Sequence, residues 1–347
     1  MRFTQQEIDL IRAQSSRMEQ EGEITPEALQ YIYDKKLFHL FVADDLAGNM
    51  TSLPEAIRIF QECARIDGSF GWLVTIGAGG GYFVPFMTEE IGRKVFTDPH
   101  AVIAGSGAVT GTARKVEGGY RVSGRWKYCS GSTHATTFTA NTVLEQADSA
   151  DSGAERQLVT IIMEPGQVEI IKDWNTFGLK ATASHSMVAT EAFIPEEMTF
   201  SFDELRSHQD ELLYRYPFLP FAQTSFAGVA MGLADRFLEL AEQHLRERGK
   251  EQVLAALEDR KQEFARQKEA FYLVLDKSWE EVGLKGKLSP EMEQRISFEC
   301  VTAARTSLGC GLRLFPQLGL AACMEDTDVN RTWRDLQTAC QHALLRE

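Results

Sequence analysis

Hydrophobic and polar positions change their period twice along the chain. Up to about residue 97 the apolar positions recur at helical spacing. Ile8, Leu10 and Ile11 sit in a polar first segment. Pro26 follows Thr25 as a first-turn proline follows its cap, predicting a helix that runs toward Phe38. Pro54 opens a second at residues 55–66, whose apolar positions 56, 57, 59, 60 and 64 form one face. Residues 68–81 are apolar and rich in small side chains. Their glycine run at 77–81 lacks the Lys-Ser/Thr ending of a phosphate loop and follows no clear strand, so close helix packing is expected.

From about 100 to 200 the period becomes two. Segments 101–105, 113–116, 120–128, 136–144, 157–163 and 168–171 read as strands, with an acidic, Ser-rich hairpin tip expected at 146–155. Beyond about 203 helical stripes return: Val229, Leu233, Phe237, Leu240 and His244, then Leu257, Phe264, Phe271, Leu275 and Val282, then Met292, Ile296, Cys300, Ala303 and Ser307. Gly249 and residues 286–290 mark the turns between them. The expected fold class is α+β and multidomain. It has an N-terminal helical domain (1–98), a central antiparallel β-barrel or sandwich (99–202) and a C-terminal antiparallel bundle like a four-helix bundle (203–347).

A chain of 347 residues is long enough for such a core, and its 44% hydrophobic content is that of an ordinary globular protein. The net charge of −14 disfavours a nucleic-acid surface. Six cysteines without a Cys-x-x-Cys pair fit reduced, mostly buried thiols, and no His/Cys cluster has zinc spacing, so no metal is expected. The N-terminus lacks the apolar core of a signal peptide, and no eighteen-residue apolar run occurs. A cytoplasmic protein without a membrane partner is the expectation.

The candidate chemistry lies in three stretches. The first places Gly118-Gly119 as a tight hairpin turn, then Trp126, Ser130-Gly131 and His134-Ala135. Alone it is compatible with any hairpin that buries a tryptophan. The second is Asp173-Trp174, Gly178-Leu179-Lys180, Thr182 and Ser184, followed by Phe193-Ile194-Pro195. The third is Asn330-Arg331, Trp333-Arg334-Asp335 and Thr338, ending at His342. With Asp67-Gly68-Ser69-Phe70-Gly71-Trp72 near the start, this order of motifs resembles the acyl-CoA dehydrogenase superfamily over nearly the whole chain. The likeness is greatest to its branch of two-component flavin-dependent monooxygenases.

That resemblance implies a flavin, FAD or FMN, supplied in reduced form by a separate reductase. It places Trp126, Ser130 and Gly131 against the flavin ring, with the Ser130 hydroxyl or a neighbouring N–H near N5, and gives Thr182 and Ser184 as further donors. A flavin needs an apolar wall and a few donors of this kind. Turn capping explains Thr182 and Ser184 equally well without it. His342, with Ser130, is the candidate catalytic residue, since a histidine can deprotonate a phenol or hold a proton near neutral pH. The other reading of His342 is an exposed residue near the terminus.

Two alternatives stay open. An acyl-CoA dehydrogenase or oxidase needs a carboxylate base, and the stretch 338–343 offers none. A non-catalytic oligomeric relative would fit two departures from the family pattern. One is the segment 43–48, which implies an altered cavity; the other is the end of the sequence five residues after His342, which implies a weaker hold on flavin. The resemblance further implies a homotetramer, packed through the small-residue faces at 228–232 and 306–311 or burying them within one subunit.

Overall fold

Capping chemistry sets the first helices of the computed structural model, which describes residues 3–145, 157–207 and 210–346. The hairpin tip expected at 146–155 lies outside the described residues. Thr4 and Glu7 form a reciprocal capping box at the start of α1 (Gln5–Arg12), which leads into α2 (Ser15–Glu21). Thr25 caps α3 (Pro26–Asp34), with its proline in the first turn as the sequence predicts. Next, α4 (Leu53–Ile66) buries Ala56, Ile57, Ile59, Phe60 and Ala64. The Asp67 carboxylate then accepts the Phe70 N–H at 3.0 Å, capping α5 (Gly68–Gly79). The glycine run is packing rather than a phosphate cradle: a Cβ on Gly77 would fall 2.3 Å from the Phe38 ring. The short α6 (Glu89–Phe96) completes this part.

The middle of the chain forms one seven-stranded sheet. In chain order its strands are β1 (Ile103–Val116), β2 (Gly119–Cys129), β3 (Thr137–Leu144), β4 (Leu158–Met163), β5 (Glu169–Ile171), β6 (His185–Pro195) and β7 (Thr199–Phe200). Across the sheet they run β5-β6-β2-β1-β3-β4-β7. The predicted hairpin joins β1 to β2 with Gly118 at φ +75°, a left-handed conformation that favours glycine. In one respect the sheet departs from the antiparallel expectation: β1 and β3 are parallel. The chain crosses after β2, so β3 enters on the far side of β1 and runs in β1's direction.

A cross-strand glycine pair makes room for the largest side chain in the sheet. Gly111 on β1 pairs directly with Gly124 on β2. The Trp126 indole fills the space their side chains would occupy: a Cβ on Gly111 would lie 2.1 Å from its Cζ2, and one on Gly124 2.6 Å from its Cη2. Trp126 is fully buried, and its N–H donates to the Asn141 carbonyl at 2.9 Å. The indole thus ties three strands together.

The C-terminal helices are α7 (Phe218–Glu247), α8 (Glu251–Lys285), α9 (Pro290–Leu318) and α10 (Asp328–Ala339). Helix α7 lies at the centre, against α4, α9 and α10. Its small positions Gly228 and Gly232 face Ile57 and Gln61 of α4, so within this chain they serve helix packing. Five of the six cysteines are buried as free thiols. No described helix is long and apolar enough to cross a membrane.

Gly111→Ala drives a methyl group into the Trp126 ring and should lower stability by about 1–3 kcal/mol in urea melts. Gly166→Ala, where nothing lies within 4 Å of the new methyl, should stay within about 0.5 kcal/mol of wild type.

Candidate active site

Three of the predicted site residues form one buried chain of hydroxyls. Gly131, at φ +76°, turns the backbone after β2 and donates its N–H to the Thr182 carbonyl at 2.8 Å, joining the first motif to the second. This brings Ser130 Oγ to 2.7 Å from Ser184 Oγ, which lies 2.7 Å from Thr182 Oγ1. The Thr182 hydroxyl donates to the Leu179 carbonyl at 2.9 Å, and the Trp72 indole N–H donates to Ser130 Oγ at 2.9 Å. Each hydroxyl has one hydrogen, so satisfying every contact fixes one direction. The order is Trp72 N–H to Ser130, Ser130 to Ser184, Ser184 to Thr182, and Thr182 to the Leu179 carbonyl. Ser130 therefore presents a lone pair, not a hydrogen, to anything placed beside it.

His342 joins this cluster through aromatic rings. Its imidazole centroid lies 3.9 Å from that of Phe226 and 5.9 Å from that of Trp72, whose rings stack at 5.3 Å. The residue is half-buried, not exposed. Nδ1 accepts the Leu344 N–H at 3.3 Å, so the neutral ring carries its proton on Nε2. Burial, with the Arg346 charge nearby, pushes its pKa down to about 4. The ring is neutral at pH 7. A second imidazole, His134, stacks on Phe38 beside Gly131 with its buried Nδ1 unpartnered, and burial lowers it to about 4 as well.

The second and third motifs dock on each other at Gly178. A Cβ there would lie 2.1 Å from the Arg334 carbonyl oxygen, so only a glycine lets the segment lie on α10. The Leu179 N–H then donates to Asp335 Oδ1 at 2.5 Å, and Arg334 donates to the Phe177 carbonyl and to Glu19. Asp335 also touches the first turn of α5, its Oδ2 lying 2.6 Å from where a Cβ on Gly68 would be. Burial and the neighbouring Asp67 push the Asp335 pKa up to about 7, opposed by the Leu179 N–H and Arg331.

Phe226 also lines a cavity of about 190 Å³ between the sheet and the helices. Helices α5 and α7 form one wall, strands β1, β3 and β4 the other, and Phe202 and Phe218 stack at 4.9 Å beside it. Among the described residues, no charged side chain lines it. One aromatic ring thus borders both the cavity and His342.

Of the predicted residues, Ser130, Gly131, Thr182, Ser184 and His342 come together around Trp72. Trp126 does not. It is enclosed by the sheet with no face left open, because its indole occupies the gap over Gly111 and Gly124. The aromatic that is exposed is Tyr128, at 68% and φ +65°, where the pairing with β6 slips between Trp126 and Cys129. It meets Trp174 edge-on at 6.1 Å. Sequence reasoning quoted Trp72 in a motif without giving it a role. It missed Phe226 and the cavity, which no local pattern announces.

Residues 224–347 match the family model described as acyl-CoA dehydrogenase, C-terminal domain. Indole-3-acetate monooxygenase of Pseudomonas putida is 24% identical over 344 residues, covering 96% of this chain and 87% of its own. The flavin-dependent monooxygenase oxygenase subunit HsaA of Mycobacterium tuberculosis is 24% identical over 357 residues, covering 96% and 88%. The crystal structure of 3-HSA hydroxylase from Rhodococcus sp. RHA1 superposes with a TM-score of 0.89 at 19% identity, covering 97% of this chain and 90% of that one. The chain has the acyl-CoA dehydrogenase-like fold and resembles its flavin-dependent monooxygenases.

Asp335 makes stability depend on pH in a definite sense. Its folded pKa of about 7 lies above the ordinary 3.8, so between these values the folded state holds the extra proton and stability falls as pH rises. Asp335→Asn keeps an acceptor for the Leu179 N–H and removes that dependence. In thermal melts the variant should gain on wild type from pH 4.5 to about pH 7 and level off toward pH 8. A constant difference would place the titration elsewhere.

Proposed function

We infer that this chain is the oxygenase component of a two-component flavin-dependent monooxygenase, built on the acyl-CoA dehydrogenase fold. Its substrate is a small aromatic or similar electron-rich molecule. The observation that carries the reading is the union, around Trp72, of the hydroxyl chain and His342, with an uncharged cavity sharing the Phe226 wall. The relatives are named as monooxygenases and as an oxygenase subunit, which supports a separate reductase as partner.

The residues present fit a flavin. A planar heterocycle suits a dry, uncharged site of hydroxyls with an unpartnered imidazole nitrogen on His134 and an exposed aromatic at Tyr128. Ser130, Gly131, Thr182 and Ser184 would hold it, as FAD or FMN. When bound in its reduced form, the flavin supplies the electrons that activate molecular oxygen. Ser130 would offer its lone pair to an N–H donor of that group, its orientation fixed by Trp72 and Ser184. The neutral His342, protonated at Nε2, would donate a hydrogen bond from that atom to an oxygen of the substrate. The apolar rings of Phe226 and Trp72 would keep bulk water from that contact.

The acyl-CoA dehydrogenase reading has less support. Among the described residues, no acidic side chain lines the cavity to serve as its base, and no cation there would meet the phosphates of CoA. A cytoplasmic homotetramer remains part of the proposal.

Purified protein given chemically reduced FAD or FMN, a phenol or indole panel and ¹⁸O₂ should yield a product carrying one labelled oxygen. Unlabelled product, or flavin oxidation without product across the panel, would overturn the reading. His342→Ala should lower product formation by about 10²–10⁴-fold while flavin still binds. With its pKa near 4, wild-type product formation should show no inflection near pH 6.5 and fall only as pH approaches 4. An inflection at 6.5 that vanishes in His342→Ala would show that the ring is more solvated than the structure indicates.

A further inference from the structure

Resting on that monooxygenase reading, we propose that the cavity selects a neutral, planar ring system larger than a single benzene ring, bearing one uncharged hydroxyl or N–H, and rejects carboxylated analogues. Size comes first. A cavity of about 150 Å³ lined by aliphatic and aromatic side chains takes up benzene. At about 190 Å³ this one has room for a second fused ring or a compact substituent.

The two walls differ in chemistry. Phe218, Phe221 and Phe226 come from α7, while Phe83, Phe200 and Phe202 close the neighbouring side. Tyr82 stacks on Phe221 at 4.6 Å and Phe202 on Phe218 at 4.9 Å, so these rings hold one another in place. Offset or edge contacts with such rings favour a flat aromatic guest. The hydroxyls on the helical wall are already spent, Thr75 on the Gly71 carbonyl and Ser225 on the Phe221 carbonyl, each at 2.8 Å.

The sheet wall supplies the polar contact. Between Ser106 and Val109 the β1–β3 register slips, opening the sheet at Gly107. Asn141 Nδ2 donates to the Gly107 carbonyl at 3.0 Å, and its Oδ1 accepts the Thr160 hydroxyl at 2.8 Å. One Nδ2 hydrogen of Asn141 and the lone pairs of Thr160 Oγ1 have no partner among the described residues. Together they offer one donor and one acceptor, the complement of a hydroxyl.

Among the described residues no Lys, Arg or His lines this wall, and that decides the charge. A carboxylate entering it would shed water and meet no cation, whereas a hydroxyl meets the Asn141–Thr160 pair. The pocket therefore discriminates between two guests of the same shape. An indole bearing an acetate side chain, the substrate in the name of the Pseudomonas putida relative, falls on the rejected side.

The test is binding of 2-naphthol and 6-hydroxy-2-naphthoate at pH 7.5, read by calorimetry on the flavin-free protein and again with reduced flavin under nitrogen. Wild type should bind 2-naphthol at least about tenfold tighter than the acid. Thr160→Lys places a cation in the wall and should bring the acid level with 2-naphthol or ahead of it. Thr160→Val preserves volume and spares the Asn141–Gly107 bond, and should narrow the preference for 2-naphthol over naphthalene. Equal or tighter binding of the acid by wild type, or no binding of either probe, would overturn the proposal. Neutral-ring selectivity without ¹⁸O incorporation would leave the pocket assignment standing and remove the oxygenase reading.

Discussion

A single buried carboxyl, Asp335, is the joint on which the candidate site depends. It receives the Leu179 N–H, touches the first turn of α5 at Gly68 and belongs to α10. Those three segments carry four of the site's side chains. The start of α5 sets Trp72 one turn onward, the Leu179 segment presents Thr182 and Ser184, and α10 leads into His342. Removing water from a carboxyl is costly, and the raised pKa expresses that cost. The joint tolerates it because Asp335 can keep a proton near neutrality while still accepting the backbone N–H.

From that joint the site assembles by close approach rather than by long-range charge. Gly178 lets one backbone lie on another, and Gly131 turns a strand end back to the Thr182 carbonyl. The result is a dry cluster whose polar members are neutral hydroxyls and imidazoles. The buried charges of α10 are paired, Arg331 with Glu19 and Asp328 and Arg334 with Glu19. A site organised this way suits chemistry in which a reactive oxygen species must be kept from water.

Much of this was legible in the sequence. Periodicity located the helices and strands, and caps such as Thr25-Pro26 and the Gly118 turn were marked by side-chain chemistry that acts locally. The motif order brought out five residues that the fold does gather. Trp126 was misplaced because strand alternation cannot say which face is covered; that depends on Gly111, fifteen residues away, lying opposite Gly124. The parallel pairing of β1 with β3 depends on a crossover path that carries no local signal. Phe226 and the cavity walls come from six separate segments, so their meeting is a property of packing alone.

The hydroxyl chain behaves as one object. Its three O–H dipoles point the same way, held at one end by an indole that can only donate and at the other by a carbonyl that can only accept. No proton can travel out through the Leu179 end. Nor can one hydroxyl turn round by itself without leaving two hydrogens or two lone pairs facing each other. A ligand that demanded a hydrogen from Ser130 would have to leave Ser130 and Ser184 lone pair to lone pair, or reverse all three hydroxyls and give up the Leu179 carbonyl. The site therefore has two discrete polarities with nothing between them, and the Leu179 carbonyl sets which one it rests in.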